Sequence, residues 1–149
     1  MKRFSFRLDR VMQLRLAAER AQAAVVAEAR SVEAERRRIA EAAEARVAEA
    51  TEQVTMPRGA ATAGTLANLR FALEQARVRA AAAAADHAES VALLEKEMAA
   101  FEEARQARRA LELLKEERYR SWEHEMGRKE QQQMDEVALR IARLGDDAR

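Results

Sequence analysis

The stretch Thr55-Met56-Pro57-Arg58-Gly59, followed by Gly64-Thr65, contains the only proline of the chain and two of its four glycines. Proline removes a backbone donor and clashes with the preceding helical turn, and glycine ends helices readily. Thr65 could then cap the next helix. We therefore predict one break: a first helix over about residues 5–54, a loop over 55–64 and a second helix over about 65–144.

The composition on either side of this break is typical of long helices. Charged residues make up 36 % of the 149 residues and aromatic residues only 4 %. Ala, Glu, Arg and Leu dominate, as in coiled coils. The prediction is an all-α, long two-helix antiparallel coiled-coil hairpin with a longer C-terminal helix, forming a single domain over residues 1–149.

A heptad pattern predicts which faces of the helices meet. In helix 1 the predicted core positions are Val11, Ala18, Val25, Val32 and Ile39, complemented by Leu14, Ala21 and Ala42. In helix 2 they are Leu66, Leu69, Leu73, Ala76, Ala80, Ala83, His87, Val91, Leu94, Met98 and Phe101, before a short break near Arg105 and Arg108. The single histidine of this stripe, His87, is read as a packing residue.

Folding at the break pairs residues whose numbers add up to roughly 119, as in any αα-hairpin with a short loop. Phe4 should then lie near Lys115, and the chain beyond about residue 116 should have no partner in helix 1. That overhang has an apolar stripe, which suggests an external partner. Its large side chains are Tyr119, Trp122, Met126, Met134, Val137, Ile141 and Leu144.

Several classes of function are disfavoured. There is no cysteine, and no phosphate-binding loop, metal cluster or paired nucleophile and base is recognisable, so we expect neither an enzyme nor a cofactor. The net charge of +1 argues against nucleic-acid binding. The longest apolar run, 80–85, is far below the ~20 residues that span a bilayer, and no signal peptide is recognisable. We expect a cytoplasmic protein without direct membrane insertion.

Both ends of the chain carry a more specific pattern. The segment Phe4-Ser5-Phe6-Arg7-Leu8-Asp9-Arg10-Val11-Met12-Gln13-Leu14-Arg15 resembles the F-x-F-x-L-x-x-V-L-x-L-R opening of the FliJ family of flagellar export proteins. Met134-Asp135-Glu136-Val137-Ala138-Leu139-Arg140 resembles the family's L-D-E-x-A-x-x-R ending. Methionine replaces the usual leucine in each segment, at Met12 and Met134. Length and hairpin plan match throughout, whereas the middle matches only as coiled coil.

The resemblance implies a function in flagellar type III protein export, similar to that of injectisome stalk proteins. Such proteins look like the two-helix stalk of the rotary ATPase γ subunit. The implied partners are the hexameric flagellar export ATPase, the cytoplasmic domain of the membrane export gate, and export chaperones. The protein would be peripherally associated with the inner-membrane export apparatus. A self-associating structural coiled-coil scaffold is the alternative.

Candidate partner-binding residues follow from the two end motifs. The residues predicted to face the ATPase ring are Phe4, Phe6, Arg7, Leu8, Val11, Leu14, Arg15, Met134, Asp135, Glu136, Ala138 and Arg140. For Phe4, Leu8, Val11 and Leu14, packing within the hairpin is an equally good interpretation. Phe71 and Trp122 are weaker candidates for contacts with the gate or a chaperone, and core packing is the alternative for Phe71.

Overall fold

The fold is all-α and hairpin-like, as the sequence predicts. The computed structural model describes residues 3–57, 59 and 62–146, with side chains described up to residue 141. Its two helices are α1 (Asp9–Thr55) and α2 (Ala63–Asp146). No strand occurs among the described residues.

Helix α1 begins at Asp9 rather than at about residue 5, and residues 3–6 are not helical. The backbone N–H of Asp9 donates to the carbonyl of Phe6 over 3.1 Å, and α1 then starts with a carboxylate in its first turn. A negative charge there is favoured by the helix dipole. The two phenylalanines of the N-terminal motif therefore lie in a non-helical segment that precedes α1.

The turn between the helices has a different cap from the predicted one. The Thr62 hydroxyl accepts a hydrogen bond from the backbone N–H of Thr65 over 3.2 Å. Thr62 is therefore the N-cap of α2, and Thr65 is the third residue of the first turn. Gly59 has a φ of +91°, a left-handed conformation in which glycine carries no steric penalty. Arg58, which the predicted loop also includes, lies outside the described residues.

The chain divides into two compact units. One, called the terminal unit here, combines residues 1–17 with 105–149. The other, called the loop unit, contains residues 18–104. In each unit a segment of α1 packs against a segment of α2.

In the loop unit the interface consists of small and short side chains. Its buried residues are Val26, Ala29, Leu73, Ala80 and Ser90. The predicted helix 2 stripe from Leu66 to His87 is half-buried or buried throughout, which confirms that part of the heptad assignment. The paired residues Gln22 with Glu97, and Glu33 with His87, have numbers that add up to 119 and 120, in agreement with the predicted register.

The predicted face of α1 is wrong by one residue. Val25 is 45 % exposed, whereas its neighbour Val26 is only 6 % exposed. Val32 and Ile39 are exposed as well. The residues that face α2 instead are Gln22, Val26, Ala29, Glu33, Arg36, Ala40, Ala43 and Val47. This set includes three polar residues, so apolar periodicity alone favoured the adjacent face.

The same correction applies at one point of α2. Met98 is exposed, and the half-buried residue beside it is Glu97, which accepts a hydrogen bond from Gln22 over 2.6 Å. At the predicted break in the apolar stripe α2 is continuous, with Arg105 exposed and Arg108 half-buried. Polar side chains continue the interface where apolar ones run out.

Candidate partner-binding site

The aromatic motif at the N-terminus packs against α2 in the terminal unit. The ring centroid of Phe4 lies 5.2 Å from that of Tyr119, edge to face, and 5.9 Å from that of Trp122. Tyr119 and Trp122 lie one turn apart on α2, with centroids 5.8 Å apart. We call these three residues the aromatic cluster. Such ring pairs are worth about 0.5–1.5 kcal/mol each beyond the area they bury.

A cation lies one turn from the aromatic cluster. The Lys115 ammonium donates to the Asp9 carboxylate over 2.8 Å and is 5.9 Å from the centroid of the Phe6 ring. Phe4 was predicted to lie near Lys115, but Phe6 and Asp9 take that place. Phe4 lies one turn farther along α2, and residues 3–6 are not helical, so the register rule for two packed helices does not apply to them.

Between the N-terminal segment and α2 lies an open cleft of about 730 Å³. Residues 3–8 form one wall, and Leu114, Arg118 and Trp122 form the other. Phe4, Leu114 and Trp122 give the cleft an apolar lining, which we call its floor. Arg3, Arg7 and Arg118 contribute guanidinium groups. We call it the arginine-lined cleft.

The structure brings together only part of the predicted ATPase-facing set. Phe4, Phe6, Arg7 and Leu8 line the arginine-lined cleft together with Trp122. Val11, Leu14 and Arg15 are exposed on α1. Val11 and Leu14, for which internal packing was the alternative, therefore leave much of their surface to solvent, 41 % and 65 % respectively.

The C-terminal half of the predicted set lies farther along α2. Met134 comes twelve residues after Trp122, about 18 Å along the helix axis at 1.5 Å per residue. The side chains of the set are all exposed: Met134, Asp135, Glu136, Ala138 and Arg140. The two end motifs thus form two separate surfaces of the terminal unit.

The structure tests two expectations about large side chains, one for Tyr119 and Trp122 and the other for Phe71. Trp122 and Tyr119 were assigned to an overhang without an internal partner, but Phe4 contacts both rings. Phe71, in the loop unit, is 67 % exposed, which rules out core packing for it.

Sequence reasoning missed Asp9, Lys115 and Arg118 as parts of this end. A usable signal was present, since the only tryptophan and the only tyrosine of the chain lie three residues apart. They follow Lys115, where the predicted register placed the N-terminal phenylalanines.

Polar pairs in the loop unit link the two helices. His87 Nε2 lies 2.9 Å from the Glu33 carboxylate, and the Ser90 hydroxyl donates to the His87 carbonyl over 2.7 Å. Arg36 forms a 2.9 Å ion pair with Asp86. The Glu33–His87 and Arg36–Asp86 contacts join α1 to α2, which agrees with the interpretation of His87 as an interface residue.

One carboxylate has a displaced pKa. In the terminal unit, the hydrogen bond from Arg109 lowers the pKa of Glu112, desolvation opposes this effect, and a hydrogen bond from Arg108 lowers the pKa further. All three residues lie on α2, so the arrangement stabilises the helix rather than forming a reactive centre.

The family model for the flagellar FliJ protein matches residues 4–145. The chain belongs to the FliJ family. No curated protein and no solved structure matches it. The FliJ match extends from Phe4 of the aromatic cluster to beyond the exposed C-terminal motif, so it includes both surfaces of the terminal unit.

FliJ membership supports a role related to flagellar export, and the family is a structural and export component rather than a known enzyme. Within the described residues, neither helix of this FliJ-family chain has a stretch long and apolar enough to cross a membrane. The same residues hold no group of three or more His, Cys, Asp or Glu side chains suited to a metal ion.

Proposed function

We propose that the protein is a non-enzymatic stalk of the flagellar export ATPase ring, which it links to the export gate and to substrate chaperones. The FliJ family match over residues 4–145 carries the export role. The proposal further places the protein on the cytoplasmic side of the inner-membrane export apparatus.

An exposed stretch of α2 supports a partner-binding role for the terminal unit. Every side chain from residue 127 to residue 141 is exposed. Four of them are large and apolar, namely Met134, Val137, Leu139 and Ile141. Met134, Val137 and Ile141 recur at a spacing of three and four residues and so share one face of α2, and such an exposed apolar face is a usual mark of a protein interface. We assign this stretch and the arginine-lined cleft to contacts with the ATPase ring.

An exposed residue outside the terminal unit supports a contact with another partner. Phe71 lies in the loop unit, and its ring is two-thirds exposed. We propose Phe71 as a contact for the export gate or a chaperone. Replacing Phe71 by Ala should weaken co-purification of the gate's cytoplasmic domain without affecting stimulation of the ATPase. Loss of both properties would contradict this division of surfaces.

A self-associating scaffold is the second candidate, because the same apolar stretch of α2 could pair with another copy. Sedimentation equilibrium separates the two proposals. A monomer that binds the purified ATPase supports the stalk, whereas a stable dimer or tetramer dissociated by Val137→Asp supports the scaffold.

The main test is a reconstitution with the purified cognate ATPase, in which ATP turnover and ring assembly are measured. We expect the wild-type protein to stimulate both. The double change Arg7→Glu and Asp135→Arg reverses one charge on each proposed surface and should abolish the stimulation.

A matched control carries the same kinds of charge reversal at exposed positions of the loop unit, Arg46→Glu with Glu95→Arg. It keeps the net charge and should stimulate like the wild type. Absence of stimulation by the wild type would contradict the stalk proposal. Equal stimulation by the Arg7/Asp135 variant would contradict the assigned surfaces.

A further inference from the structure

We propose that the arginine-lined cleft binds an acidic segment of a partner protein, which inserts an apolar side chain between residues 3–8 and α2. The proposal deepens the stalk function, because it names the chemistry of the partner at this end. It depends on the stalk function only for the identity of that partner.

The floor of the cleft explains the need for an apolar anchor. Phe4, Leu114 and Trp122 line it, and both aromatic rings are only half-buried. Both residues line the cleft and keep part of their surface accessible, which a leucine-sized or aromatic side chain bound there can cover. Half-buried aromatic residues in a concavity are typical anchor sites of protein interfaces.

The charges around the floor determine the sign of the partner. Arg3, Arg7 and Arg118 line the cleft, and no acidic side chain does. All three are exposed, and none of them pairs with a carboxylate among the described residues. Guanidinium groups bind carboxylates in a bidentate geometry, so three of them around an apolar floor favour a segment with several Asp or Glu residues.

The acidic residue that follows the N-terminal segment, Asp9, does not cancel this charge. Asp9 accepts a hydrogen bond from Lys115 over 2.8 Å, so these two side chains largely neutralise each other. Because Lys115 also lies over Phe6, the pair holds the wall of the cleft in place. The three arginines are left as its uncompensated charge.

Nucleic acid is the competing occupant, since arginine and aromatic rings also bind phosphates and bases. Two observations favour a peptide. The floor includes the aliphatic Leu114, and the chain as a whole has 27 basic against 26 acidic residues, so its overall charge adds little attraction for a phosphate backbone. A single-stranded oligonucleotide therefore serves as one arm of the test.

The only tryptophan of the chain lines the cleft, so its fluorescence reports occupancy directly. The full chain is titrated with an end-blocked peptide of sequence Glu-Glu-Leu-Leu-Glu-Glu while Trp122 emission is followed. Parallel titrations use Lys-Lys-Leu-Leu-Lys-Lys, Glu-Glu-Ser-Ser-Glu-Glu and a six-nucleotide thymidine strand. We expect the first peptide to bind at least about tenfold more tightly than each of the others.

A triple variant tests the arginines themselves. Arg3→Glu, Arg7→Glu and Arg118→Glu together should weaken binding of the acidic peptide by about tenfold or more. Its circular dichroism should match that of the wild type, because no described contact depends on these side chains. The matched control changes three exposed arginines of the loop unit and should bind like the wild type: Arg30→Glu, Arg46→Glu and Arg70→Glu.

The possible outcomes separate this inference from the stalk function. Equal binding of the acidic and lysine peptides, tighter binding of the oligonucleotide, or an unaffected triple variant would overturn the inference, even if the wild type stimulates the ATPase. Peptide binding in the expected order supports the inference that the cleft binds an acidic segment. That support holds even if the protein fails to stimulate ATP turnover, a result that would contradict the stalk function.

Discussion

The loop unit and the terminal unit join their helices with different side chains. Between residues 18 and 104 the buried contacts come from valine, alanine, leucine and serine, supplemented by polar pairs such as Glu33 with His87. In the terminal unit, three aromatic rings and the Asp9–Lys115 pair take that role.

The difference has a physical consequence. Small side chains let two helices approach closely but bury little apolar area, so the polar pairs of the loop unit help to select one register. The aromatic cluster contributes large rings that are half-buried at Phe4 and Trp122 and exposed at Tyr119, and these retain surface for a partner. We therefore expect substitutions in the loop unit to change stability, and those in the terminal unit to change binding as well.

The largest expected effect tests which face of α1 meets α2. Val26→Asp places an unpaired carboxylate in the buried interface and should lower the free energy of unfolding by about 3 kcal/mol. Val25→Asp is the matched control on the adjacent exposed face and should cost less than about 0.5 kcal/mol. Urea unfolding followed by circular dichroism measures both. If Val25→Asp proved more destabilising than Val26→Asp, the face of α1 predicted from periodicity would be the buried one.

The next effect concerns the polar pair of the loop unit. His87→Ala leaves the Glu33 carboxylate, whose side chain is 17 % exposed, without its partner and should cost about 1–2 kcal/mol. In a double-mutant cycle with Glu33→Ala, the coupling should be about 1 kcal/mol. Strictly additive costs would show that the pair does not contribute to the loop unit as proposed.

In the terminal unit, Phe4→Ala tests the aromatic cluster. It removes both ring contacts of Phe4 and should cost about 1 kcal/mol. The emission of Trp122 should shift to longer wavelength because the indole becomes more exposed to water. Phe71→Ala, which removes an exposed ring in the loop unit, should leave the emission unchanged. An unshifted spectrum for Phe4→Ala would mean that the N-terminal segment does not pack on α2 in solution.

The smallest effect is a pH dependence in the terminal unit. Because the pKa of Glu112 is lowered in the folded state, its stabilising contribution is complete above the ordinary glutamate pKa of about 4.3. It is lost as the pH falls from there through the lowered value. Glu112→Gln should therefore reduce the melting temperature slightly at pH 7, and the difference should shrink as the pH falls below the ordinary glutamate pKa. Glu117→Gln, at an exposed position of the same helix, should show no such trend.

Part of this architecture was predictable because it depends on local chemistry. Pro57 and the glycines around it interrupt the helical pattern only once, and the apolar stripe from Leu66 to His87 has a single possible phase. The motif at the N-terminus indicated the FliJ family, which the match over residues 4–145 confirms.

The phase of α1 could not be predicted in the same way. Its apolar residues occupy two adjacent faces, one through Val25 and the other through Val26, and the more apolar face is the exposed one. The position of Phe4 was missed for a related reason, since the register rule assumed a helix where residues 3–6 are not helical.

By itself, the sequence determined that there are two helices, where the chain turns between them, and to which family the chain belongs. These properties depend on residues close together in the chain, or on end motifs that can be read in order. The tertiary structure alone decided which face of α1 is buried, that Thr62 caps α2, and that Phe4 reaches Trp122. Each of these depends on matching side chains from distant segments, whose hydrogen bonds and ring contacts outweigh the preference of either helix considered alone.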